Sequence, residues 1–214
     1  MSSALHWATL GAYILATVIY LAFVLWQRRG LHLMGRAVLW VGFSLHTAAL
    51  VAAWAETGAP PATNLRQSLD VFTWAIMGAT LFIDIRVGVM ILGALSAPLC
   101  VMLMLAASVL PPMELPPSYL LKSAWVALHV FTLLFGYGLM AVTFLGNSLF
   151  LIQDSLIRRK KLGPLFKRLP SLTRLDALCQ QALVIGFILF TIGMISGAMY
   201  AQMKLGSYWS WDPK

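Results

Sequence analysis

The residues of this chain best suited to chemistry gather in two places. One is a compact string at its end, Gly206-Ser207-Tyr208-Trp209-Ser210-Trp211-Asp212-Pro213-Lys214; the other is a pair of histidines, His46 and His129, set inside long apolar runs. Aromatic rings bring large contact area with little conformational freedom to lose, so such a string, with Gly before it and Asp-Pro after it, could be a platform for a flat apolar ligand. The same rings could be an interfacial belt, because Trp and Tyr favour the headgroup layer of a membrane. The residues alone leave both readings open.

An imidazole inside an apolar run is costly to bury and by default marks a site, although a neutral, hydrogen-bonded packing role is the ordinary alternative. His129 lies about six residues into its run, roughly 9 Å deep at 1.5 Å per residue. His46 lies about ten residues past Arg36, roughly 15 Å deep. His6 and His32, at a terminus and in a loop, read as solvated. Asp70 follows Arg66 by four residues, which predicts an ion pair along one helix face. Gly193-Met194-Ile195-Ser196-Gly197 is a small-xxx-small pattern that predicts close helix packing. Cys100 and Cys179 have no CxxC spacing and read as buried small apolar residues.

The elements that position these residues follow from composition. Hydrophobic residues make up 60% of the 214 and charged residues only 10%, which is outside the soluble range. Six runs reach the roughly 20 residues needed to cross a bilayer, near 7–26, 37–55, 67–85, 87–110, 123–152 and 178–203. No alternating strand pattern competes with them. The fold expected is all-α: a polytopic transmembrane bundle of six helices forming one membrane domain over 1–214. The first run has no basic flank before it and no small-residue cleavage site after it, so it reads as a retained helix.

The +8 net charge does not signal nucleic acid, because the basic residues sit in short connections between apolar runs. Arg28, Arg29, Arg36, Arg86, Arg158, Arg159, Lys160, Lys161, Lys167, Arg168 and Arg174 fall on one side of the membrane. Arg66, Lys122, Lys204 and Lys214 fall on the other. With 11 of the 15 on one side, the positive-inside rule places the N-terminus and the aromatic tail outside. The basic stretch from Arg158 to Arg174 reads as an orientation signal beside anionic lipid.

The string Gly-Ser-Tyr-Trp-Ser-Trp-Asp-Pro-Lys resembles the tryptophan-rich WWD signature of haem-handling membrane proteins, most closely the CcsA (ResC) type of System II cytochrome c biogenesis. Asn64-Leu65-Arg66-Gln67-Ser68-Leu69 with Phe72-Thr73-Trp74 is similar to that family's entry into a helix from an outer loop. Ser123-Ala124-Trp125-Val126-Ala127-Leu128-His129-Val130 resembles its histidine-bearing helix. Pro170-Ser171-Leu172, Leu175-Asp176 and Gly186-Phe187 resemble the lead into the helix before the loop. The resemblance implies that Trp209, Trp211 and Asp212, with Tyr208 beside them, lie against haem on the outer face. It also implies His129 as an axial iron ligand. His46 is a second candidate, for haem in transit. Asp212 would cap the turn before Pro213 or bond a neighbouring amide.

The implied activity is cytochrome c biogenesis, with haem b as substrate presented on the outer face for attachment to the CxxCH segment of apocytochrome c. The implied partners are a ResB-type membrane subunit and a thiol-reducing, thioredoxin-like factor, in the bacterial inner membrane with the loop on the periplasmic side. Proteins of this type continue past the loop into further helices with a second outer histidine. The chain stops at Lys214 inside the signature, so the expectation is a truncated form, part of a haem lyase or synthetase if complete. Leu205 stands where Trp is common in the family. The rival readings are a HemX-like regulatory or scaffold protein and a small-molecule transporter.

Overall fold

A computed structural model describes residues 1–88, 91–111, 123–160 and 169–208, apart from the side chains of Val87 and Leu205. The described residues form six helices: α1 Ser2–Trp26, α2 Arg29–Thr57, α3 Leu65–Val87, α4 Leu92–Val109, α5 Ala124–Arg158 and α6 Leu172–Leu205. Each carries a stretch long and apolar enough to cross a membrane, so the chain is an integral membrane protein with an all-α architecture. α1, α2 and α6 begin several residues before their apolar runs do. The residues ahead of those runs include Arg and Leu, which favour helix, and the backbone ladder continues through them. α4 begins later than its run because Gly88, in the left-handed region at φ 68°, caps α3 there.

Local chemistry marks the boundaries. The Asn64 side chain accepts from Gln67 N at 2.9 Å while Gln67 Oε1 accepts from Thr63 N at 2.9 Å, a reciprocal cap that starts α3. Ser123 Oγ accepts from Trp125 N at 3.2 Å and starts α5. Successive helices run antiparallel, so the N-terminus, the α2–α3 connection, the start of α5 and the end of α6 share one face, called here the N-terminal face.

α1 to α4 make a compact group in which Tyr13 and Tyr20 of α1 are buried. They lie against two backbone positions of α2 with the same seven-residue spacing. A Cβ at Gly42 would come within 2.7 Å of the Tyr13 ring, and one at Gly35 within 2.8 Å of the Tyr20 ring. α5 packs on α3 and α6 packs chiefly on α5. Trp74 ties α2, α3 and α5 together. Its Nε1–H donates to Thr47 Oγ1 at 2.9 Å, and its ring stacks on Phe43 and meets Phe135 edge-on.

Three expectations for polar residues need correction. His6 is buried rather than solvated: its Nε2 lies 3.0 Å from Ser108 Oγ and its Nδ1 lies 3.4 Å from Asp70 Oδ1. Asp70 therefore faces a histidine of α1, and among the described residues it is His6, not Arg66, that stands within ion-pair distance. His32 is buried as well, because α2 begins at Arg29 and carries it against Tyr20 and Phe23. Its Nε2 is 3.8 Å from Asp84, which also faces Arg36 Nε at 3.8 Å. In each case an enclosed carboxyl of α3 has a histidine of another helix beside it, which limits the cost of placing it in a low-dielectric surround.

Candidate functional site

His129 is placed by the α5–α6 pair. The spacing of Trp125 and His129, one helical turn apart, puts both on the face of α5 that meets α6. The Nδ1–H of His129 donates to Gly193 O at 2.7 Å, and the Nε1–H of Trp125 donates to Ser196 O at 2.8 Å. The small-residue pattern packs closely, as the sequence predicts. A Cβ at Gly193 would sit 2.9 Å from Leu133 N, and one at Gly197 would overlap the His129 ring itself. The imidazole thus lies directly on the α6 backbone, held at one nitrogen. Its other nitrogen, Nε2, has no hydrogen-bond partner among the described residues, and the side chain is half-buried.

This arrangement fits an iron ligand. A ligating histidine commonly donates its second ring N–H to a carbonyl, which fixes the tautomer and raises the basicity of the ligating nitrogen. Gly193 O supplies that carbonyl. Ser196 Oγ donates to the same oxygen at 2.9 Å, which holds the acceptor in place.

His46 occupies a different interface. It is fully buried, with Nδ1 3.3 Å from the Tyr13 hydroxyl and the two rings edge to face. Its Nε2 is enclosed without a hydrogen-bond partner among the described residues. His129 faces α6 and His46 faces α1, so the structure does not bring the two together. Tyr208 is exposed, two residues past Gly206, which ends α6 in the left-handed region at φ 73°. Gly206 lies thirteen residues beyond Gly193 in α6, about 20 Å along the axis at 1.5 Å per residue. Trp209, Trp211 and Asp212 lie outside the described residues.

Sequence reasoning gave neither Trp125 nor Gly197 a part in the site around His129. Their signal was present: Trp125 is four residues before His129 on the same helix face, and Gly197 belongs to a pattern assigned to packing alone.

Among curated proteins, the chain is 30% identical over 204 residues to the cytochrome c biogenesis protein CcsA of Synechococcus sp. (strain CC9902), covering 84% of this chain and 67% of that protein. It is 32% identical over 197 residues to the CcsA of Prochlorococcus marinus (strain MIT 9313), covering 78% and 62%. It is 28% identical over 180 residues to that of Guillardia theta, covering 75% and 60%. The chain thus spans between 60% and 67% of the length of these relatives. The family described as "Cytochrome C assembly protein" matches residues 62–214. That match takes in the histidine-bearing pair α5 and α6 together with the aromatic tail, more than half of the chain, and so the chain belongs to the cytochrome c assembly protein family.

Proposed function

We propose that the chain serves cytochrome c biogenesis by binding haem b through His129 Nε2 and presenting it at the N-terminal face for covalent attachment to the CxxCH segment of apocytochrome c. The observation that supports this reading is the His129 imidazole, tied at Nδ1 to Gly193 O and unpartnered at Nε2. Trp209, Trp211 and Asp212, with Tyr208, would hold the other part of the haem. The chemistry belongs to the cysteine thiols, the vinyl groups and the iron. The protein's share is orientation and exclusion of side reactions.

The loop charges support placing this face outside a bacterial inner membrane. A ResB-type subunit and a thioredoxin-like reductant of the apocytochrome cysteines complete the proposed pathway. His46 offers an unpartnered nitrogen, but a haem there would require α1 and α2 to part around Tyr13. The reading therefore rests on His129.

Membranes carrying the protein should copurify with haem whose spectrum shows histidine ligation, and His129→Ala should remove most of it. Unchanged haem content in that variant would overturn the assignment.

A further inference from the structure

We infer that Trp125 and Gly197 are positioning residues for His129: they set the rotation and seat of its imidazole so that Nε2, and not Nδ1, is offered to the ligand. The inference rests on the reading of His129 as a haem ligand and goes beyond it, because both residues act through the imidazole.

Three independent restraints act on one ring. Gly193 O accepts from Nδ1 at 2.7 Å, which selects the tautomer. The missing side chain of Gly197 is the space the ring occupies, since a Cβ there would overlap Cε1 and Nδ1. One turn earlier, the Trp125 indole donates to Ser196 O at 2.8 Å and fixes the rotation of α5 against α6. The two acceptors, Gly193 O and Ser196 O, lie three residues apart on α6, and the two donors lie four apart on α5. Both pairs therefore sit along a single seam. Rotating either helix would break both bonds together. Helical carbonyls already accept from the backbone four residues on, so these bonds come on top of that ladder and need the close approach that the glycines allow.

Replacing Gly197 by Ala must displace the ring, because the added methyl meets the imidazole on a helix backbone that has nowhere to retreat. Replacing Trp125 by Phe keeps an aromatic ring in place and removes only the donor. The loss of such supporting partners typically weakens metal binding by roughly 10- to 100-fold. Gly197→Ala should fall at the upper end and Trp125→Phe at the lower.

The test uses the full chain in detergent or nanodiscs. Nitrogen NMR on haem-free protein labelled at histidine, with His129 assigned by its loss in His129→Gln, should show the proton on Nδ1 in the wild type. In Gly197→Ala that tautomer should be lost. Haem titrations should show the weakened binding, and the haem that does bind should have an altered spectrum and a raised reduction potential, because a loosened Nδ1–H bond makes the ligand less basic. Leu128→Ala, on an exposed part of α5, should match the wild type throughout. If His129→Ala loses haem while both positioning variants keep the wild-type tautomer, affinity and spectrum, this inference fails and the ligand reading stands. If His129→Ala retains haem, the reading beneath it fails. Should Gly197→Ala not fold, Trp125→Phe decides the matter by the same measurements.

Discussion

His6, Asp70 and Ser108 come from three helices and meet near the N-terminal face, with His6 as the centre of the group. Removing it leaves the Asp70 carboxyl without its neighbour in a surround that cannot hydrate it, while the Ser108 hydroxyl keeps its bond to Met104 O at 2.8 Å. His6→Leu should destabilise the protein by about 1–3 kcal/mol, the cost of an unsatisfied buried polar group. A double variant, His6→Leu with Asp70→Leu, should recover part of that loss, as a coupling energy measured by denaturation in detergent. Strict additivity of the two changes would show that the contact contributes nothing. None of this was legible in the sequence. A histidine six residues from the start looks terminal, and Arg66 looked the nearer partner for Asp70, because pairing across helices leaves no mark on local spacing. His129 was legible as a candidate because its apolar surround and the resembling string both pointed to it. The acceptor of its Nδ1 proton was not, because that acceptor is a backbone carbonyl 64 residues away.

Among the elements, the existence and order of the six helices were readable from run length, while the starts of α1, α2, α4 and α6 lie several residues from those of the apolar runs. The packing partners were not readable, because lipid-facing and helix-facing sides of a membrane helix are both apolar. Small residues held the missing information. A Cβ at Gly136 would lie 2.7 Å from Phe190 N and 2.9 Å from Gly186 O, and those are backbone atoms that cannot swing aside. Gly136→Ala should therefore push α5 and α6 apart at a cost of about 1–3 kcal/mol, in the range of overpacked cores. The measurable sign is a lower melting temperature. Gly30, which has nothing near its missing Cβ, should accept Ala with little change and serves as the control.

For the molecule as a whole, the charge distribution makes a prediction about orientation. Cysteines introduced at Thr57 and Ser123 should react with a membrane-impermeant thiol reagent added outside intact cells, and cysteines at Arg28 and Lys160 should react only after the cells are opened. The native cysteines are both buried, Cys100 at 0% and Cys179 at 3% exposure, so their background should be low. The reverse pattern would overturn the placement of the site on the outer face. This orientation is read from the positions of Lys and Arg in the sequence alone, and no contact within the bundle enters it.

The extension of α6 beyond the level of His129 also limits what its tail can reach. An extended chain covers at most about 3.6 Å per residue. The His129 ring lies at Gly197, nine residues before Gly206 and about 14 Å along the axis, and a return of three residues from Gly206 to Trp209 covers at most roughly 11 Å of that. A molecule gripped by His129 and by the first indole at once would therefore be held toward the end of α6, close to the N-terminal face, where an incoming polypeptide could reach it. Adding three glycines after Gly206 would slacken that tether without touching a ligand, and should reduce the efficiency of presentation while leaving the iron–histidine spectrum as it was.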